Sequence, residues 1–328
     1  MTGYPVGIIG AGAWGTALAA VMAEIHERVL IWALETQVVT GINETHENQL
    51  YLPKLPLSPK IRATSDMAEM AQCGALLLVT PAQHLRSTLQ SLPETSAALI
   101  LCSKGIEAET QMLMSDIVGA MRPDNVLAVL SGPTFAHEVA AGRPTAITLA
   151  TANERTGTAL MKLVAAPHFR PYWTDDVKGA EIGGAVKNVL AIGCGVVDGA
   201  ELGLNARAAL IARGFAEMQR YGMALGARSD TLAGLSGLGD LVLTCSSENS
   251  RNFSLGRGLG RGQSAQELLS DRRTVAEGAF TAPVLQESAR AHGVDMPIVD
   301  AVCSLLDGSA QVGEVIQALL SRPLRAER

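Results

Sequence analysis

The chain has 328 residues, 48% of them apolar and 18% charged, with a formal net charge of −6. That length exceeds what one hydrophobic core usually serves, so two domains are expected. The excess of acid excludes nucleic acid or an anionic membrane surface as the main partner, and any anion site must be local. The five cysteines, Cys73, Cys102, Cys194, Cys245 and Cys303, have no C-x-x-C spacing and mostly lie in apolar context. They point to a reduced, cytoplasmic compartment without disulfides. The six histidines form no H-x-x-x-H or H-x-H pair, so no metal is expected.

No charged residue precedes Glu24. A signal peptide would need a basic segment before its apolar part, and a spanning helix would not be broken by Pro5 and closely spaced glycines. No other stretch approaches the ~20 uninterrupted apolar residues of a span. No membrane insertion is expected. Val6-Gly7-Ile8-Ile9 instead reads as a buried strand that meets G-x-G-x-x-G at Gly10, Gly12 and Gly15, with Ala13 and Trp14 between, and an alanine-rich helix follows to Ile25. Gly10 permits a sharp turn out of the strand, Gly12 lets backbone approach a pyrophosphate, and Gly15 lets helix pack closely on strand. The helix start presents free N–H groups and the positive end of its dipole to an anion. This stretch predicts a dinucleotide site.

Val29–Trp32 is a second buried strand. Glu35 follows it, about twenty residues past the glycine loop, where an acid either bonds a ribose 2′-hydroxyl or complements a helix dipole. From Leu50-Tyr51-Leu52-Pro53 a proline-punctuated loop is expected, an insertion on the binding edge. Strands are predicted at 75–80, 98–102, 126–130 and 145–149, with helices around 67–71, 85–92, 112–121 and 135–140. This alternation predicts a mainly parallel sheet covered on both faces, whose ligands sit beyond the carboxyl ends of the strands. Three strand exits therefore stand out: Thr80-Pro81-Ala82, Ser103-Lys104-Gly105 and Ser131-Gly132-Pro133-Thr134-Phe135-Ala136. Each alone reads as ordinary loop; their common edge raises them.

After a short strand-like segment at 170–173 the pattern turns helical from Gly179 onward. A boundary near residue 180 is expected, dividing a dinucleotide-binding domain (1–180) from an all-α domain (181–328). Val186, Val189, Leu190, Gly193 and Val197 share one helical face. Asn205 is expected to cap a helix running toward Gly226, Ser264-Ala265-Gln266-Glu267 reads as a capping box, and Pro297 and Gly308 bracket another helix. Lys187-Asn188 lies within the apolar helix. A lysine there either snorkels at the rim or loses water, and desolvation lowers its pKa into a range useful for proton transfer. Gly237-Leu238-Gly239-Asp240 follows, then Ser250-Arg251-Asn252, a compact set of phosphate donors. Arg257 and Arg261, in the Gly/Arg-rich run after it, read as solvated surface.

These residues together resemble the bacterial type of NAD(P)-dependent glycerol-3-phosphate dehydrogenase over essentially the whole chain. The likeness is carried by the stretch from Gly10 to Ala19, Ser103-Lys104-Gly105, the stretch from Ser131 to Ala136, Val186-Lys187-Asn188, Gly237-Leu238-Gly239-Asp240-Leu241, Ser250-Arg251-Asn252, Val275-Ala276-Glu277-Gly278 and the tail from Leu320 to Leu324. The resemblance implies hydride transfer between sn-glycerol 3-phosphate and dihydroxyacetone phosphate with NAD or NADP, supplying glycerol 3-phosphate for phospholipid synthesis. It implies that Lys187 is the proton acceptor. Lys104, Gly132, Thr134, Asn188, Asp240, Ser250, Arg251 and Asn252 would meet the small phosphorylated substrate. Gly10, Gly12, Ala13, Trp14, Gly15, Leu34, Tyr51, Lys104, Ala136, Arg251, Val275 and Glu277 would line the cofactor. A homodimer stays open.

The chain departs from the family in two places. Ala13 stands where a serine is usual, and Ala33-Leu34 replaces a pair that usually includes Arg or His. Leu34 has no donor for a 2′-phosphate and Glu35 would repel one, so better use of NADH than NADPH is expected. Two other readings are a related dehydrogenase acting on a sugar acid or acyl thioester, and a non-catalytic dinucleotide sensor. The Ser250-Arg251-Asn252 set disfavours the first; Lys187, Lys104 and Asp240 together disfavour the second.

Overall fold

The computed structural model describes residues 3–270 and 276–323. The described residues form eight strands, most of them short apolar runs: β1 (Val6–Ile9), β2 (Val29–Trp32), β3 (Ile61–Thr64), β4 (Ala75–Leu78), β5 (Ala98–Leu101), β6 (Leu127–Ser131), β7 (Thr145–Ala150) and β8 (Phe169–Thr174). They make one sheet in the order β3-β2-β1-β4-β5-β6-β7-β8. Neighbours are parallel except β6 and β7. Every residue of β1 and β4 is buried because helices cover both faces. Val6 pairs with both Val29 and Ala75, so β1, β2 and β4 end level with one another. The chain reverses its direction of travel across the sheet between β1 and β4, and such a switch point opens a crevice beyond the strand ends.

The helices between the strands are α1 (Ala13–Ile25), α2 (Thr36–Thr40), α3 (Met67–Met70), α4 (Leu85–Ser91), α5 (Met114–Met121), α6 (Ala136–Ala140) and α7 (Glu154–Val164). Beyond Thr174 the regular elements among the described residues are all helical. They are α8 (Val177–Gly199), α9 (Gly203–Ala224), α10 (Ser229–Leu232), α11 (Asp240–Cys245), α12 (Arg251–Gly260), α13 (Ala265–Leu268), α14 (Glu277–Ala291), α15 (Pro297–Leu306) and α16 (Val312–Leu320). A mainly parallel sheet followed by helices is the expected class. Ser264 forms its capping box with Glu267, and Pro297 opens α15 ahead of a left-handed Gly308.

Several local expectations change. β3 lies in the segment expected to be loop; its Ile-Arg-Ala-Thr, with Arg62 exposed, is not an apolar run like β1 or β4, and its pairing with β2 is what marks it. α7 was not expected either, although Asn153 caps it by accepting from the Thr156 N–H at 3.1 Å. Asn205 caps nothing. It lies inside α9, because Glu201 in a left-handed conformation (φ 56°) and the Leu202 N–H bonded to Val197 O turn the chain within three residues, so that α9 begins at Gly203. The Gly/Arg run after Arg251 is helix α12. Its Arg257 is no solvated side chain: it is three-quarters covered and ion-paired with Asp198 and Glu248. Arg261 is exposed, as expected.

α8 organises the second half. Its residues from Gly179 to Val197 are all buried, so it has no solvent face and the expected single apolar stripe is instead a core rod. By length and hydropathy it would suit a bilayer, but its apolar stretch is buried inside the fold. α12 packs on it backbone to backbone. A Cβ on Gly256 would come 1.9 Å from Ile192 O, and one on Gly195 would come 2.0 Å from Phe253 O. The glycines of both helices answer each other.

Two buried acids hold neighbouring helix starts. Glu181 on α8 accepts from the Ser115 N–H at 2.8 Å and from the Ser115 hydroxyl, at the start of α5. Glu217 on α9 accepts from the Ile298 and Val299 N–H groups at 2.9 and 3.4 Å, at the start of α15. Burial pushes each carboxyl up from 4.5 to about 7. Between those values the folded chain keeps protons that the unfolded chain has released, so stability falls as pH rises through that window. Each group contributes a slope of at most about 1.4 kcal/mol per pH unit. Urea unfolding at pH 5 and 7 is expected to show this decline, and the Glu181→Gln, Glu217→Gln double variant to flatten it. An unchanged slope in the double variant would refute the assignment.

Candidate active site

The glycine loop leaves β1 as the spacing requires. Gly10 has φ +113°, a conformation side chains rarely adopt, and its N–H bonds Trp32 O at 3.1 Å. A Cβ on Gly15 would lie 1.8 Å from Gly10 O, so close packing of α1 on the loop needs glycine there. Gly12 differs: a Cβ on it would meet no atom within 4 Å. Its bareness serves no internal packing and fits a cradle for a ligand's phosphates. Gly12 offers α1 no side-chain cap, and no acid lies in the first turn, so the N–H groups of Ala13, Trp14 and Gly15 suit an anion. These features fit the dinucleotide implied above. Ala13 and Trp14 are half-buried, and Ala136 opens α6, which packs on α1.

A residue the sequence reading missed holds this loop. Buried Asn48 donates to Ala11 O and to Thr16 Oγ1, both at 2.8 Å, and accepts from the Tyr51 N–H at 3.2 Å. The loop after α2 is thereby stapled to the glycine turn, and the Tyr51 hydroxyl donates to Glu35 Oε1 at 2.7 Å. Leu34 is 75% exposed beside them.

The three expected strand exits share one edge. The Ser103 hydroxyl donates to Thr80 O at 2.5 Å, and Lys104 Nζ donates to Gly132 O at 3.3 Å. Thr134 Oγ1 also bonds Gly132 O. Lys104 reaches across to the helical half, where its Nζ lies 2.6 Å from Asp240 Oδ2. The other oxygen, Oδ1, lies 2.6 Å from Lys187 Nζ. Lys187 is 7% exposed and does not snorkel. Its ammonium also donates to Thr244 Oγ1 at 3.0 Å. Thr244 was not singled out from the sequence, although its position one helical turn after Asp240 signals a shared face. The Lys104 stem passes over bare Gly184, where a Cβ would come 3.1 Å from Lys104 Cγ.

Burial alone would raise the fully enclosed Asp240, but the Lys104 and Lys187 charges outweigh it and hold the carboxyl below its ordinary value. At Lys187 desolvation dominates, Asp240 opposes it and Lys104 assists it, and the ammonium falls from 10.5 to about 8. One buried carboxylate thus holds two ammonium groups, one of them poised to exchange its proton near neutral pH.

Ser250 caps α12 by accepting from the Phe253 N–H at 3.3 Å, which leaves its own O–H to donate. Arg251 is the first residue of α12 and is exposed. The Asn252 amide donates to Asn188 Oδ1 at 3.0 Å and accepts from the Gly278 N–H at 2.9 Å, tying α12, α8 and α14 together. Much of the bonding capacity of Asn188 and Asn252 is therefore structural. Glu277 opens α14; burial raises its carboxyl against the pull of the Arg251, Lys104 and Lys187 charges. Val275 lies outside the described residues.

Comparison with known proteins shows the family. The model of the NAD-dependent glycerol-3-phosphate dehydrogenase N-terminus matches residues 5–157, and that of the C-terminus matches residues 176–317. A glycerol-3-phosphate dehydrogenase of Novosphingobium aromaticivorans, named for NAD(P)+, is 61% identical over 99% of this chain and 98% of its own. One from Zymomonas mobilis is 53% identical over 99% and 95%. The crystal structure of the Coxiella burnetii glycerol-3-phosphate dehydrogenase shares 35% identity and a TM-score of 0.92, covering 98% of this chain and 99% of that one. The chain belongs to the NAD-dependent glycerol-3-phosphate dehydrogenase family.

Proposed function

We propose that this protein interconverts sn-glycerol 3-phosphate and dihydroxyacetone phosphate by hydride transfer with NAD or NADP, in the cytoplasm, supplying glycerol 3-phosphate for glycerophospholipid synthesis. The observation that carries this reading is the Lys104–Asp240–Lys187 cluster at the strand edge, with Arg251 at a helix start and its charge acting, like those of Lys104 and Lys187, on Glu277. In the proposed division of labour the chain up to about residue 180 holds the dinucleotide, and residues 181–328 supply the base and the phosphate contacts.

The bound dinucleotide supplies or accepts the hydride. The protein handles the proton and the charge. In oxidation, a hydride leaves C2 as the hydroxyl proton passes to neutral Lys187 Nζ and the C–O bond becomes a carbonyl. In reduction, protonated Lys187 returns the proton to the developing alkoxide. A pKa near 8 lets the same amine serve both directions. Asp240 and Thr244 orient the Nζ, and Lys104 adds positive charge beside Gly132 and Thr134. The Arg251 guanidinium, the Ser250 hydroxyl, an N–H of Asn252 and the α12 helix start would hold the substrate phosphate.

Lys187→Ala is expected to cut turnover by ~100-fold or more, the scale of general acid–base catalysis, while NADH still binds. Asp240 keeps Lys104 as a partner in that variant, so the fold should survive. Lys187→Arg should rescue little, because guanidinium does not release its proton. Near-normal turnover of a folded Lys187→Ala enzyme at saturating substrate would move the role elsewhere.

Arg251→Ala removes an exposed side chain and should fold. The Michaelis constant for dihydroxyacetone phosphate is expected to rise on the order of 10- to 100-fold, the loss of a charge-assisted contact. Arg251→Lys should recover only part of it. Unchanged constants for both substrate and dinucleotide would remove Arg251 from the phosphate site.

A further inference from the structure

We propose that Glu35, held in place by Tyr51, selects dinucleotides with a free ribose 2′-hydroxyl, so that this chain binds NADH in preference to NADPH. The inference rests on reading the β1–α1 edge as the dinucleotide site. From sequence alone Glu35 had two explanations, a ribose contact or a complement to the α2 dipole. The structure shows which partner the carboxylate takes. Glu35 occupies the N-cap position of α2, yet its side chain caps no N–H of that helix. The carboxylate is turned instead to the Tyr51 hydroxyl, 2.7 Å from Oε1.

The position of that carboxylate is determined by a chain of hydrogen bonds back to the phosphate loop. Tyr51 N–H bonds Asn48 Oδ1, and Asn48 Nδ2 bonds Ala11 O, between Gly10 and Gly12. Asn48 is 1% exposed, so this staple does not exchange with water. Glu35 therefore stands beyond the end of β2 at a fixed offset from the glycine turn, where the ribose of a dinucleotide lies when its pyrophosphate sits on α1. A carboxylate has about four acceptor sites, and Tyr51 takes one. It can still accept from a 2′-hydroxyl.

A 2′-phosphate would meet the opposite conditions. It would set like charges together at Glu35. The Tyr51 O–H is already committed to Glu35, and that bond, with burial, pushes the phenol up to about 12, so the proton stays where it is. Leu34, exposed at the same turn, has no donor. Selection against the phosphate thus combines a repulsive group with absent attractive ones.

Calorimetric dissociation constants for NADH and NADPH, measured on the wild-type chain and on Glu35→Gln, Tyr51→Phe and Leu34→Arg, test this without any turnover. Wild type is expected to bind NADH at least about 10-fold more tightly than NADPH, the scale of an unfavourable charge contact. Glu35→Gln keeps the acceptor and loses the charge, so it should narrow the gap about fivefold or more, mainly by tightening NADPH. Tyr51→Phe should weaken NADH more than NADPH. Leu34→Arg changes an exposed side chain and should narrow the gap by adding a cation, which keeps the test available if Glu35→Gln fails to fold. Wild type binding NADPH as tightly as NADH, or Glu35→Gln moving both constants by one factor, would overturn the proposal. Binding of neither dinucleotide would overturn it together with the reading on which it rests.

Discussion

A single carboxylate buried between two ammonium groups governs this structure. Asp240 takes Lys104 from the edge of the sheet and Lys187 from the core helix α8, each at 2.6 Å, and so joins the two halves of the chain at the point where chemistry is proposed. Removing three charges from water is costly, and the cost is tolerable only with good geometry and satisfied donors. The fold meets both conditions. Gly132 O and Thr244 Oγ1 accept further N–H groups of the two lysines, and Gly184 leaves room for the Lys104 stem.

The same burial has different consequences elsewhere in the molecule. Glu181 and Glu217 are enclosed without an ion pair among the described residues, and their carboxyls rise to about 7. Asp240, more deeply enclosed, stays low because two cations face it. Lys187 is the counterpart: desolvation dominates and favours the neutral amine, the Asp240 carboxylate opposes it, and Lys104 assists release. A buried acid or base keeps its charge only where neighbouring charges together outweigh its desolvation, as they do at Asp240. The all-buried character of α8 makes this possible, since a solvent face would screen the charges and return Lys187 toward an ordinary lysine.

Local patterns carried much of this into the sequence. Gly10 and Gly15 could be read from spacing because each has a steric duty within a few residues of its neighbours. Lys187 was legible because it interrupts an apolar helix. Lys104, Gly132 and Thr134 were legible through the rule that strand exits share an edge. What stayed hidden depends on contacts between distant residues. Asn48 looks like any polar loop residue until Ala11 and Thr16 are seen beside it. β3 is four residues long and is defined by its pairing with β2, not by its own pattern. Glycine weakens a helix, and only the close approach of α8 explains the glycines of α12. Arg257 reads as solvated surface until Asp198 and Glu248 are seen beside it.

Opposed electrostatics hold the Lys187 amine near neutrality, and the amine itself can report it. The chain labelled with carbon-13 at the lysine ε carbons can be titrated by NMR from pH 6 to 11, with Lys187→Arg used to assign the signal. A midpoint of about 8 is expected for Lys187. A midpoint at or above 10.5, the ordinary lysine value, would show that Asp240 outweighs desolvation and would contradict it.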